Sequence, residues 1–205
     1  MNVGIINTKT SNIQSIYNAL DFLGYKNYQE ISTYKPSISG KFSHLIFPGN
    51  GSYKKNIDEL KKNKLDKFIV EHYQKNNFFL GICVGMQVLS SYGMEYGKTE
   101  GLDIIPGQVL KLSEEKVRLP HVGWNEVRNK KEDKIFAPCL DKNEFFYFLH
   151  SYYFKTEDEN VLSETFYGIN FPTIIKKRNF YGVQFHPEKS QAVGINLIKS
   201  FLLLK

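Results

Sequence analysis

The sequence of 205 residues is poor in cysteine, in arginine and in long apolar runs. Its two cysteines, Cys83 and Cys139, are too few for a disulfide framework, which indicates a reducing, cytoplasmic location. No apolar run approaches the roughly 18 residues of a membrane span, so we expect no membrane partner. The net charge is +6, yet only three of the 27 basic residues are arginine, the residue best suited to reading bases and phosphates. We therefore expect no nucleic-acid partner.

The first half of the sequence alternates between short apolar segments and helical patterns. The predicted strands cover residues 2–7, 26–32, 43–47 and 78–80. Thr10 or Ser11 can cap the helix that follows the first strand. Such alternation predicts a parallel sheet covered by helices on both faces. The second half consists of short strands and a last helix near 192–204, and we expect its strands to extend the parallel core in antiparallel fashion. No linker or repeat interrupts the chain, so we predict one α/β domain over residues 1–205.

The stretch Gly81-Ile82-Cys83-Val84-Gly85 has the pattern of a nucleophile elbow, with cysteine in place of serine. Its sharp turn between strand and helix strains the backbone of the nucleophile, which requires neighbours without bulk. The start of a helix also favours a thiolate. We predict that Cys83 is a nucleophile, the alternative being a buried structural cysteine between packing glycines. Cys139 lacks such glycines and is interpreted as a small apolar residue.

A nucleophilic cysteine needs a base and a group that orients the base, and His186-Pro187-Glu188 can supply both. Proline favours an extended conformation in the residue before it, and residues two apart in extended chain point to the same side. Glu188 can therefore hold the His186 ring. Donors for an oxyanion are expected from the amides of Val84 and Asn50. The Pro48–Gly51 loop that contains Asn50 follows a predicted strand, as Cys83 does, and its residues could adopt positive φ.

These motifs resemble those of a known family. Gly81–Gln87 and Gln184–Glu188 resemble the class I (triad) glutamine amidotransferases. Leu119–Asn125, Phe146–Tyr153 and Gly182–Ser190 are similar to stretches in the glutaminase subunits of imidazole glycerol phosphate synthases, enzymes of histidine biosynthesis. The resemblance runs essentially end to end. It implies a flavodoxin-like three-layer α/β/α fold, hydrolysis of L-glutamine to glutamate and ammonia, and a heterodimer with a (β/α)8 cyclase subunit that receives the ammonia.

The resemblance also implies roles for single residues. The catalytic triad is matched by Cys83, His186 and Glu188. Positions that bind glutamine are matched by Gln87, Ser151 and Tyr152. Positions that face the cyclase are matched by Asn12, Trp124, Asn125, Tyr147 and Lys189. The Asn50 loop matches the oxyanion strand, which the partner switches in this family.

The other histidines show no metal-ligand spacing. His121 and His150 lie in separate strand regions, and no H-x-x-x-H or C-x-x-C pattern occurs. We therefore expect no metal and no cofactor. His150 is expected to pack or hydrogen-bond near the glutamine pocket, His72 to be exposed on a polar helix face, and His44 to pack beside a buried strand.

The sequence departs from the family pattern in two stretches. The turn after the first strand, usually Asp-Tyr-Gly-x-Gly-Asn, reads Asn7-Thr8-Lys9-Thr10-Ser11-Asn12 and keeps only Asn12. The oxyanion loop, usually Pro-Gly-Val-Gly, has Asn50 in place of valine. Asparagine tolerates positive φ better than valine does. Our hypothesis is that the active loop conformation is easier to reach, so that basal glutaminase activity is less repressed.

Three alternatives stay open. A paralogous glutaminase could supply ammonia to a sugar amidotransferase in surface-polysaccharide biosynthesis, which the altered Asn7–Ser11 turn favours. A catalytically silent regulatory subunit is the second, and the intact Cys83, His186 and Glu188 set argues against it. A cysteine hydrolase or peptidase on the same elbow is the third, and the matches at Gln87 and at Ser151–Tyr152 argue against it.

Overall fold

The computed structural model describes residues 2–10, 12–133 and 144–205. Its α-helices are α1 (Gln14–Phe22), α2 (Tyr53–Lys62), α3 (Leu65–Gln74), α4 (Val84–Gln87) and α5 (Gln191–Leu202). Its strands are β1 (Val3–Ile6), β2 (Tyr28–Ile31), β3 (His44–Phe47), β4 (Phe78–Ile82), β5 (Tyr92–Gly93), β6 (Thr99–Glu100), β7 (Gly107–Lys111), β8 (His121–Asn129), β9 (Glu144–His150), β10 (Tyr152–Thr156), β11 (Val161–Tyr167), β12 (Ile169–Lys177) and β13 (Phe180–Val183). Short 3-10 helices cover Pro36–Ile38, Asp158–Asn160 and Pro187–Lys189.

The main sheet has the strand order β2-β1-β3-β4-β13-β12-β11-β8-β9 in the described part of the chain. The pairs from β2 to β13 are parallel, and β12, β11, β8 and β9 continue the sheet in antiparallel fashion. This confirms the predicted parallel core with antiparallel edge strands. A second sheet, β10-β7-β5-β6, was not predicted. Two of its strands contain only two residues each, which is too short to show any periodicity.

Both faces of the parallel strands are buried. In β1, Val3 and Ile5 pack in the hydrophobic cluster that contains side chains of α1 and α5. Ile6 packs in the opposite cluster, with side chains of α2 and α3. Helices on both sides of a buried parallel sheet give the predicted three-layer α/β/α architecture. None of the described helices is both long and apolar enough to cross a membrane.

The first helix begins differently from the prediction that Thr10 or Ser11 caps it. The residue before α1 is Ile13, and no side chain caps the helix. The Thr10 hydroxyl instead donates to Oδ1 of Asn56, at 2.8 Å. Ser11 lies outside the described residues.

His72 is buried, and the prediction that it is exposed is wrong. It lies three and four residues after Ile69 and Phe68, on the face of α3 that packs into the core. Its Nε2 is 2.8 Å from the carbonyl oxygen of Phe78, so the ring has a polar partner inside the core. The polar neighbours of His72 in the sequence concealed this position. His44 packs as predicted, with its ring stacked on Phe78 at 4.8 Å between centroids.

Candidate active site

Cys83 stands at the sharp turn between β4 and α4. Its φ is 54° and its ψ is −111°, a conformation that residues with a side chain rarely adopt. The backbone N–H of Cys83 donates to the carbonyl oxygen of Val183 at 2.7 Å, which ties the turn to β13. The cysteine is only 8% exposed. The predicted backbone strain at the elbow is therefore confirmed.

The glycines around the elbow are required because a side chain at these positions would collide with the neighbouring backbone. A Cβ on Gly81 would lie 2.3 Å from the carbonyl oxygen of Gly85, and a Cβ on Gly85 would lie 2.1 Å from that of Phe47. A Cβ on Gly49 would lie 2.2 Å from the carbonyl oxygen of Ile82. All of these neighbours are backbone atoms, which cannot move aside easily. The loop after β3 therefore packs directly against the elbow, as its place at the end of a neighbouring strand predicts.

His186 reaches the same edge of the sheet from β13, the parallel neighbour of β4. Its Nδ1 is 2.8 Å from Oε1 of Glu188, and both side chains are almost completely buried. Burial disfavours the charged ring, but the charge on the facing Cys83 sulfur and the Glu188 carboxylate outweigh it, so the pKa of His186 is raised well above its ordinary value. The structure thus brings together the cysteine, the base and the orienting carboxylate that the sequence singled out.

A cavity of about 400 Å³ opens on Cys83. The predicted site residues in its wall are Val84, Gln87, Ser151 and Tyr152. His150 also lines this cavity, as expected. Within the described ranges, no group of three or more histidine, cysteine, aspartate or glutamate side chains is arranged to hold a metal ion. Cys139 lies outside the described residues, so its interpretation as a structural residue stays a prediction.

Three charged residues in the cavity wall were not found from the sequence: Glu95, Lys111 and Glu114. Lys111 and Glu114 form an ion pair with each other. Glu95 accepts a hydrogen bond from the backbone N–H of Tyr53 at the start of α2, at 2.6 Å. These residues belong to the second sheet and its loops. No local motif marks them, because their place beside Cys83 depends on how that sheet packs.

The oxyanion loop is fastened to the turn after β1. Gly51 has a φ of +80°, but Asn50 is not in the left-handed region, so the expectation of positive φ holds for the glycine and not for Asn50. The Asn50 carbonyl accepts from Nδ2 of Asn56 at 3.0 Å. With the Asn50 side-chain amide oriented to suit its neighbours, Nδ2 donates to the carbonyl of Gly49 at 3.1 Å and Oδ1 accepts from the N–H of Asn12 at 3.2 Å. The two stretches that depart from the family pattern are thus in direct contact.

The residues predicted to face a partner lie outside the cavity. Trp124 and Tyr147 are opposite each other on β8 and β9, with ring centroids 6.2 Å apart. Trp124 is 46% exposed. Asn125 is half-buried beside them, Lys189 ends the 3-10 helix after His186, and Asn12 lies in the turn after β1.

Residues 5–204 match the glutamine amidotransferase class-I family, to which the chain therefore belongs. The names of two relatives give a more specific function than the name of the family does. The chain is 37% identical to the imidazole glycerol phosphate synthase subunit HisH of Archaeoglobus fulgidus, over 98% of this chain and 97% of the relative. It is 39% identical to the HisH subunit of Listeria monocytogenes, over 96% and 93%.

Solved structures support the fold. A glutamine amidotransferase superposes with a TM-score of 0.75 at 16% identity, and PurLQS from Thermotoga maritima with a TM-score of 0.73 at 18% identity. In both cases 98% of this chain and 97% of the other chain are covered. The predicted fold and enzyme class are confirmed.

Proposed function

We propose that this chain is the glutaminase subunit of an imidazole glycerol phosphate synthase, a single domain over residues 1–205 that acts in the cytoplasm. The observation that carries the proposal is its near full-length similarity, at 36–39% identity, to HisH subunits from three organisms. The meeting of Cys83, His186 and Glu188, with Cys83 in the wall of the cavity, supports it. The subunit hydrolyses L-glutamine to glutamate and ammonia, and the ammonia passes to a cyclase subunit.

The first half of the reaction forms a thioester. His186 takes the proton of Cys83, and its raised pKa keeps that proton on the ring. The thiolate attacks the side-chain amide carbon of glutamine. The backbone N–H groups of Val84 and Asn50 donate to the oxyanion that develops. His186 then protonates the departing ammonia.

The second half of the reaction restores the enzyme. Water attacks the thioester, with His186 as the base, and glutamate leaves. Glu188 holds Nδ1 of His186 throughout, which keeps Nε2 directed at the reacting atoms and stabilises the charged ring. The reaction needs no metal ion.

The charges of the cavity suit a free amino acid. Glu95 and Lys111 give its wall both signs of charge, which matches the α-ammonium and α-carboxylate groups of glutamine. A glutamine side chain within a peptide lacks these two groups. The cavity therefore favours a glutaminase over a peptidase.

An exposed apolar surface beside the site suits the cyclase. The large apolar residues of β8 and β9 that face outward and remain exposed are Val122, Trp124, Phe145 and Leu149. A contiguous exposed patch of this kind marks a protein–protein contact. We propose that this surface docks on the cyclase, together with Asn12 and Lys189.

Replacing Cys83 with alanine tests the nucleophile. In the complex with the cyclase, Cys83→Ala is expected to abolish synthesis driven by glutamine and to spare synthesis driven by an added ammonium salt. An equal loss of both activities would contradict the assigned role.

Co-purification tests the partner. A tagged copy of this chain, isolated from its own cells, is expected to bring down a (β/α)8 cyclase. Recovery of a sugar-modifying enzyme would overturn the histidine-pathway assignment and leave the glutaminase chemistry intact.

A further inference from the structure

Gln184 is a fully buried side chain next to the nucleophile, and sequence reasoning gave it no role. It directly follows β13, and its backbone N–H donates to the carbonyl of Thr173 at 2.9 Å. Its side-chain nitrogen, Nε2, is 3.7 Å from Sγ of Cys83. This distance is suitable for an N–H···S hydrogen bond.

The orientation of the Gln184 amide follows from a neighbouring carbonyl, which can only accept. Nε2 of Gln87 is 2.9 Å from the carbonyl oxygen of Tyr152, so the nitrogen of Gln87 must lie on that side. The same nitrogen is 3.0 Å from Oε1 of Gln184. The side-chain atom of Gln184 that faces this N–H donor must be its oxygen. The nitrogen of Gln184 must then face Cys83.

Two buried histidines fix the Tyr152 carbonyl in turn. Nδ1 of His150 donates to it at 2.9 Å. Nε2 of the neutral His150 ring is then an acceptor, and it lies 2.9 Å from Nδ1 of His121. Burial lowers the pKa of His121 to about 4 and that of His150 to about 3, so both rings are neutral at physiological pH. The hydrogen bonds therefore run in one direction, from His121 to the carbonyl.

We propose that Gln184 is a further catalytic residue, which donates a hydrogen bond to the Cys83 sulfur and stabilises its thiolate. A donor to an anionic sulfur is stronger than one to a neutral thiol, so it favours the reactive form. Gln87 becomes a positioning residue for Gln184, because both of its amide hydrogens are used within the protein and only Oε1 remains for glutamine. The proposal rests on the proposed role of Cys83 as nucleophile.

The test measures how fast iodoacetamide alkylates Cys83 as a function of pH, with mass spectrometry separating its peptide from that of Cys139. Gln184→Met removes the donor and keeps the length of the side chain. We expect the pH of half-maximal alkylation rate to rise by about one unit. With the partner present, kcat for glutamine should fall about tenfold and KM should change less than about twofold.

Two further variants complete the experiment. Gln184→Leu removes both the donor to the sulfur and the acceptor toward Gln87, and should raise the midpoint at least as much as Gln184→Met does. Thr173→Val removes a buried hydroxyl on the adjacent strand without touching the sulfur, and should leave the midpoint unchanged. Wild-type midpoints in either folded Gln184 variant would overturn the proposal. Wild-type protein that is not alkylated at Cys83 would instead count against the nucleophile itself.

Discussion

Replacing Asn56 with aspartate is predicted to lower the free energy of unfolding by about 2–6 kcal/mol at pH 7.5. Asn56 is a fully buried residue of α2. Its Oδ1 accepts from the hydroxyls of Thr8 and Thr10, at 3.0 and 2.8 Å. Its Nδ2 donates to the carbonyls of Asn50 and Ser52, at 3.0 and 2.9 Å. All four hydrogen-bonding positions of the amide are used, so Asn56 joins the turn after β1 to the oxyanion loop.

The size of the loss of stability follows from the two hydrogen bonds that Nδ2 of Asn56 donates. Asn56→Asp keeps the shape of the side chain and the Oδ1 acceptor. It replaces Nδ2 with an oxygen, which then faces the carbonyl oxygens of Asn50 and Ser52. The introduced carboxyl therefore binds a proton, which restores one hydrogen bond and leaves the second carbonyl unpaired, at a cost of about 1–3 kcal/mol. Its pKa is raised above about 3.9, so the native state binds more protons than the unfolded state and stability falls as pH rises. The loss of stability relative to wild type should be smaller at pH 5 than at pH 7.5, by about 1–3 kcal/mol.

Urea unfolding of wild type and Asn56→Asp at both pH values measures these differences. Asn18→Asp, which makes the same change at an exposed position on α1, is the matched control and should stay within about 0.5 kcal/mol of wild type. Amide exchange should become faster in peptides that cover residues 7–10 and 48–52. A stability within about 0.5 kcal/mol of wild type at pH 7.5, or an equal deficit at both pH values, would refute the reasoning.

Glu188→Gln is expected to lower kcat for glutamine hydrolysis by about 10²- to 10⁴-fold with little change in KM, because His186 loses the carboxylate that holds Nδ1. Steady-state glutaminase assays measure this, and a kcat within about threefold of wild type would contradict the orienting role. His72→Gln is expected to flatten the loss of stability in acid. Burial lowers the pKa of His72 to about 4, so the unfolded state binds a proton that the native state does not, and stability falls as pH drops from about 6.5 toward 4, by up to about 3 kcal/mol. Urea unfolding at pH 7.5 and 4.5 checks this, and an identical pH dependence in both proteins would exclude His72 as a contributor.

The parallel half of the fold could be predicted because its signals are local. The four residues of β3, His44–Phe47, are all buried, and such short apolar runs alternate with helical spacing along the chain. The second sheet could not be predicted in the same way. The residues of β5 and β6 are too few to show a period, and their pairing is set by contacts with the rest of the fold.

The candidate site likewise contains some residues that local sequence patterns predict and others that they do not. The elbow glycines and the spacing of His186 and Glu188 could be interpreted from the sequence, since each depends on the conformation of a few consecutive residues. Gln184 could not, because the partners that orient it, Gln87 and the Tyr152 carbonyl, come from distant parts of the chain. The burial of His72 is different, because its spacing from Phe68 and Ile69 places it on the apolar face of α3 and only its immediate polar neighbours indicate exposure.

The two departures from the family pattern, the turn after β1 and Asn50, form one hydrogen-bonded unit. The hypothesis for Asn50 began from its tolerance of positive φ, but its backbone is not in that region. Its side chain instead joins Gly49 to Asn12, while Asn56 joins its carbonyl to Thr8 and Thr10. Asn50→Val alone would therefore remove two hydrogen bonds as well as change the φ preference. A comparison with other family members is informative only when the turn and residue 50 are exchanged together, because each supplies the polar partner that the other requires.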